Sequence, residues 1–141
     1  DIVLCADHAK FVMAYSAAGL CMDGSSSYFL PRVVGMRRAM ELALTNRPLD
    51  AAEAADMGLV TRVVAQAELM DEARKLARQF ADGPTGAHGW IKRLLCDSFS
   101  NSLETQMELE TRGIAACAES PNGREGVSAF VEKRKPTFSG R

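Results

Sequence analysis

Short apolar runs alternate with amphipathic stretches along this chain, and the spacing of the apolar positions predicts a strand-and-helix layout. Ile2-Val3-Leu4-Cys5 is a short apolar strand, and Lys10-Phe11-Val12-Met13-Ala14 a second extended piece. Residues 15–24 form a loop. A helix begins near Gly24 and is interrupted at Pro31 or ends by Gly35. Residues 36–44 are dense in strong helix formers and apolar on most sides, which predicts a well-buried helix. Asp50-Ala51-Ala52-Glu53 has the spacing of a capping box in acidic form, and the helix it opens ends at Gly58, a left-handed cap. Residues 59–64 follow as a strand rich in β-branched side chains. From 66 to about 80 a helix carries Leu69, Ala73, Leu76 and Phe80 on one face, with Arg74, Lys75 and Arg78 largely on others. Gly83-Pro84-Thr85 breaks the chain, and a helix then runs to about Phe99. Asn101 is placed to cap the next helix, with Glu104 three residues on. Ser120-Pro121 opens a last helix that reaches residues 133–135 and stops at Pro136. No repeat, low-complexity run or linker interrupts this order.

Composition narrows the class. At 141 residues, with 47% hydrophobic and 25% charged side chains, the chain fits one ordinary globular domain. The formal net charge of −1 argues against nucleic acid as a partner. No apolar run approaches the roughly 18 residues of a membrane span, so no membrane partner is expected. Cys5, Cys21, Cys96 and Cys117 show no C-x-x-C spacing, and His8 and His88 are isolated; no metal site is expected. Free thiols in a reducing compartment, the cytoplasm, are the simplest account. The chain opens on Asp1, straight into an apolar strand, and the expectation from this is a cut through the middle of a sheet.

Gly19-Leu20-Cys21-Met22-Asp23-Gly24-Ser25-Ser26-Ser27 carries the chemistry that can be read locally. It sets one carboxylate on a tight turn of small residues directly ahead of a helix, and Gly24 lets the backbone approach a ligand closely. Proton abstraction beside a carbonyl, or attack by a carboxylate, needs an acid presented in this way. An Asp in this position is equally a good helix N-cap, and the local pattern leaves both roles open. The helix N-terminus would stabilise the anion, whereas an apolar pocket built from Tyr15, Leu20, Met22 and Phe29 would oppose it by desolvation. Cys21, with no histidine in its segment, reads as a small packing residue beside the pocket. Lys133-Arg134-Lys135 and Arg141 make up the dense basic run, whose plain reading is solvated surface.

Together with Ala9-Lys10-Phe11-Val12 before it and Val33-Val34-Gly35-Met36-Arg37-Arg38-Ala39-Met40-Glu41-Leu42-Ala43-Leu44-Thr45-Asn46-Arg47 after it, this segment resembles the crotonase superfamily, the enoyl-CoA hydratase/isomerase family. The resemblance spans essentially the whole chain and implies the C-terminal half of such an enzyme. The fold it implies is α/β: residues 1–82 as the C-terminal part of the crotonase core, and residues 83–141 as a layer of three helices for assembly into a homotrimer or a dimer of trimers. It implies an acyl-CoA substrate whose coenzyme A is part of the substrate, with no separate cofactor. Asp23 takes the place of the isomerases' catalytic acid/base. Tyr15 stands where the hydratases carry one of two glutamates, and the second glutamate and both oxyanion-hole amides would lie ahead of Asp1. Tyr15, Leu20, Met22, Gly24 and Phe29 would contact substrate, and Lys133 would meet the coenzyme A phosphates or adenine. The run from Gly35 to Arg47 is also similar to 4-chlorobenzoyl-CoA dehalogenase, in which the acid matching Asp23 attacks an aromatic ring, assisted by an aromatic residue eight positions earlier, here Tyr15. A third reading is a member that has lost catalysis and keeps only assembly.

Overall fold

The computed structural model describes residues 1–139, so Arg141 of the basic run lies outside the described residues. They fall into two compact units that divide inside one helix, the first covering Asp1–Ala73 and the second running from Arg74 onward.

The first unit is mixed α/β. Strand β1 (Leu4–Ala6) pairs in parallel with β4 (Arg62–Val64), Cys5 opposite Val63. Strand β2 (Lys10–Phe11) pairs antiparallel with β3 (Leu49–Asp50), Phe11 opposite Leu49. Helices α1 (Ser26–Val34), α2 (Met36–Thr45) and α3 (Ala51–Asp56) lie between these strands in sequence. The core gathers Cys5, Leu42, Leu49, Ala51, Ala54 and Val60, with a second cluster of Leu30, Val34 and Ala39. Met13, Met57 and Leu59 pack against both.

Local chemistry explains most of the boundaries. Asp50 Oδ1 accepts from the Glu53 amide at 2.8 Å, which starts α3, and Gly58 at φ +78° follows its end. The Glu53 carboxylate does not close the box on the Asp50 amide, because Arg47 takes both its oxygens at 2.6 and 2.9 Å while bonding Glu41 at 2.6 Å. The guanidinium holds the Glu53 carboxyl below the usual carboxylate range. The strand expected over 59–64 is shorter than its β-branched run, since the Leu59 and Val60 amides are spent on the Ala54 carbonyl at the end of α3. Pro31 sits inside α1 without breaking it; the helix ends at Gly35, at φ +84°.

The second unit holds the rest of α4 (Leu69–Ala81), then α5 (Thr85–Asp97), α6 (Leu103–Glu119) and α7 (Pro121–Val131). On α4 the expected face is seen: Leu69, Ala73 and Leu76 are half-buried, while Phe80 is more exposed. Gly113 of α6 lets the Trp90 ring of α5 approach, since a Cβ there would stand 3.0 Å from it. Ser120 Oγ accepts from the Gly123 amide at 2.9 Å and Pro121 occupies the first turn of α7, as the sequence predicts.

Two helix ends differ from expectation. Ser102, not Asn101, caps α6, accepting from the Thr105 amide at 3.2 Å; the Asn101 amide is drawn instead to Gln106 Oε1 at 3.0 Å. Helix α7 stops at Val131 rather than running into the basic residues. Lys133 turns left-handed at φ +55°, and the Lys133 and Arg134 amides bond back to Phe130 and Ala129. Arg134 then folds onto Glu125 with two bonds of 2.6 and 3.0 Å, and the Thr137 amide adds a third at 2.8 Å. Chiefly through Arg134, these donors hold the Glu125 carboxyl down at about 2, against an ordinary value of 4.5. The folded state therefore binds fewer protons here than the unfolded one, so the contribution is full above 4.5 and fades as the pH falls through 2. The stability difference between wild type and Glu125→Gln, followed by thermal unfolding across this window, is expected to be present at neutral pH and to vanish towards pH 2. A difference independent of pH would remove the ion pair as its source.

Among the described residues no helix is long and apolar enough to cross a membrane, and no group of three metal-capable side chains gathers.

Candidate functional site

The turn ahead of α1 is built by backbone, not by side-chain capping. Gly24 (φ +56°) and Ser25 (φ +63°) are both left-handed, and a Cβ on Gly24 would meet nothing within 4 Å. Glycine is favoured there by the dihedral, not by a close neighbour. The Asp23 carbonyl accepts from the Ser26 amide at 2.9 Å and from Ser26 Oγ at 2.6 Å, which fixes the first turn of the helix. The carboxylate of Asp23 is exposed and accepts no hydrogen bond among the described residues. The side-chain cap that the local pattern left open is not made.

Beside this turn lies an apolar groove of about 500 Å³. Tyr15, Ser16, Leu20, Cys21 and Met22 of the loop form one wall. Ser27 and Pro31 of α1 and Met36, Ala39, Met40, Ala43 and Leu44 of α2 form the rest. Asp23 falls in sequence between two lining residues, Met22 and Ser27, on the turn that joins the walls. The expectation of a well-buried α2 is corrected here. Only Ala39 and Leu42 are buried on it, while Met36, Met40 and Leu44 are 60%, 55% and 71% exposed along the groove.

The sequence-predicted residues divide accordingly. Tyr15, Leu20 and Met22 come together in the groove, and Gly24 sits on the adjoining turn with Asp23. Phe29 does not line it; its ring is 60% exposed and packs edge-on against Tyr28 at 5.1 Å between centroids. An apolar enclosure around the Asp23 carboxylate is absent from residues 1–139, since that group stands in solvent. Lys133 belongs to the second unit, exposed just past α7, with neighbouring Arg134 engaged by Glu125 and Glu132. Sequence reasoning missed the α2 wall. The available signal was the width of the apolar arc on α2, broader than one packing face requires.

Comparison with known proteins supplies the context. The family model described as Enoyl-CoA hydratase/isomerase matches residues 1–141. The chain is 44% identical over 141 residues to 1,2-epoxyphenylacetyl-CoA isomerase of Escherichia coli (strain K12), covering all of this chain and 54% of that protein. It is 39% identical over 133 residues to 4-chlorobenzoyl coenzyme A dehalogenase-1 of Arthrobacter sp, covering 94% of this chain and 48% of the relative. The crystal structure of an enoyl-CoA hydratase/isomerase from Cupriavidus metallidurans CH34 superposes with a TM-score of 0.92 at 36% identity, over 99% of this chain and 53% of that one. The chain thus spans about half the length of the relatives it matches.

Proposed function

The chain belongs to the enoyl-CoA hydratase/isomerase family, its fold matching the C-terminal half of the crotonase architecture, and from that premise we propose that it shifts or hydrates a double bond in an enoyl-CoA thioester with Asp23 as the acid/base. The observation that carries this reading is the Asp23 carboxylate itself, unengaged by donors among the described residues at the edge of an apolar groove. An acyl tail laid along Met36, Met40 and Leu44 brings its thioester end towards the turn at residues 22–27. In the isomerase form Asp23 removes the acidified proton between the double bond and the thioester carbonyl. The electron pair moves onto the carbonyl oxygen as an enolate, and the same carboxyl returns the proton at the far carbon. The enolate oxygen needs preorganised N–H donors, and in this reading they are backbone amides outside residues 1–141. Tyr15, which lines the groove where a hydratase would present a carboxylate, favours isomerisation over hydration.

Coenzyme A enters as part of the substrate, with no separate cofactor or metal, and Lys133 is its phosphate or adenine contact. A homotrimer or a dimer of trimers in the cytoplasm, without nucleic-acid or membrane partners, completes the proposal.

One observation favours a second reading. The Tyr15 ring lines the groove eight residues before Asp23, a setting suited to an aromatic acyl group on which the carboxylate could act as nucleophile. Incubation of the full-length protein with a β,γ-enoyl-CoA, followed by absorbance of the conjugated product, tests the first reading. Rapid quench with 4-chlorobenzoyl-CoA and mass spectrometry tests the second. Double-bond migration without an aryl ester on Asp23 is the expected result; the ester without migration reverses the assignment.

A further inference from the structure

Asn46 ends α2 in the left-handed region at φ +53°, a conformation that strains every side chain, asparagine less than most. Glycine would serve the helix end better. What asparagine adds is a set of bonds that reach out of the helix. Its Nδ2 faces the carbonyls of Met13 at 2.5 Å and Ala43 at 3.1 Å and the hydroxyl of Ser16 at 2.9 Å. Two carbonyls on that side fix which end of the amide is nitrogen. The Ser16 hydroxyl stands 2.9 Å from the Ala43 carbonyl and 3.0 Å from Asn46 Oδ1, and gives its one proton to either.

These four groups join the two walls of the groove. Met13 lies two residues before Tyr15 and Ser16 directly after it, and Ala43 precedes Leu44 on α2. Among the described residues, the first turn of the loop is otherwise held by its own short bonds, from the Ala18 and Leu20 amides to the Tyr15 carbonyl and from the Gly19 amide to the Ser16 carbonyl. We propose that Asn46 and Ser16 form a lock that sets the spacing between Tyr15 and Leu44, making Asn46 a positioning residue that decides which acyl groups fit the groove. The identity of the occupant rests on the proposed function; the lock does not.

The test separates the lock from an ordinary helix end. Asn46→Gly keeps the left-handed backbone and removes the amide, so a mere cap predicts an unchanged or stabler protein. The lock predicts that hydrogen–deuterium exchange at the Ala18, Gly19 and Leu20 amides of the full-length protein accelerates about tenfold, the scale of one lost hydrogen bond. Ser16→Ala, which leaves the helix untouched, should produce the same acceleration, and the double variant no more than either alone. Across short, medium and long enoyl-CoA thioesters, both variants should compress the spread of kcat/KM by about tenfold, mainly through KM. Unchanged exchange overturns the lock, and faster exchange with selectivity intact overturns its role in recognition. Failure of wild type and variants alike to turn over any thioester sinks the proposed function instead, while the exchange rates still decide the lock.

Discussion

Replacing Asp23 with Asn in the full-length protein is expected to leave the fold intact and to lower turnover of an enoyl-CoA thioester by roughly 10²–10⁴-fold. The fold has no stake in the carboxylate, which is exposed and without protein partners among the described residues. The turn instead uses the Asp23 carbonyl, which asparagine keeps, so the stability change should stay within about 0.5 kcal/mol. Asparagine fills the same space and can neither accept nor return a proton at this position. Circular dichroism and denaturation check the first half of the expectation, and steady-state kinetics the second. Turnover within tenfold of wild type would remove Asp23 from the chemistry and leave only the architecture standing.

The largest stability effect is expected at Gly123, in the first turn of α7. A Cβ there would fall far inside van der Waals contact with the Cys117 carbonyl oxygen, 2.8 Å from its carbon and 3.1 Å from Ala118 Cα. All three are backbone atoms of the preceding helix, so no side chain can swing aside. Relief requires the α6–α7 corner to open, which also endangers the 2.9 Å bond from the Gly123 amide to Ser120 Oγ. Overpacking of this kind costs about 1–3 kcal/mol and a lost cap about 1 more, so Gly123→Ala should cost roughly 3 kcal/mol. Gly126→Ala is the matched control. Among the described residues its Cβ would meet just the Phe138 ring, at 3.6 and 3.9 Å, and alanine is the better helix former by about 0.5–1 kcal/mol. Chemical denaturation of the pair should give changes of opposite sign. A loss under about 1 kcal/mol at Gly123 would mean that the corner yields freely.

What could be read from the sequence follows the range of the interactions involved. The Asp50–Glu53 start, the Gly58 stop and the Ser120-Pro121 start are contacts within one turn, and each is found where the residues place it. Asn101 and Ser102 are equally competent caps in isolation. The choice between them is made by Gln106, which takes the Asn101 amide and itself donates to the Leu94 carbonyl on another helix. The end of α7 was hidden for a similar reason. The bidentate Arg134–Glu125 pair spans nine residues and draws the chain out of the helix before the basic run.

The candidate site divides along the same line. The acid-bearing turn and three of its neighbours are legible because they are contiguous, whereas Phe29 is on the wrong side of α1 for the groove. Periodicity reported that α2 is apolar but not that Met36, Met40 and Leu44 would be left uncovered. Asn46 carries no local signal of its bonds to Met13 and Ser16, which lie thirty or more residues away along the chain.

Met22, Met36 and Met40 put three thioethers around one channel, two of them well exposed. Peroxide turns such side chains into polar sulfoxides, which have no affinity for a hydrocarbon tail. Oxidised there in an aged or aerated preparation, the groove would lose its oily character. Methionine sulfoxide reductases would restore it, and a bound occupant would shield the sulfurs from attack in the first place.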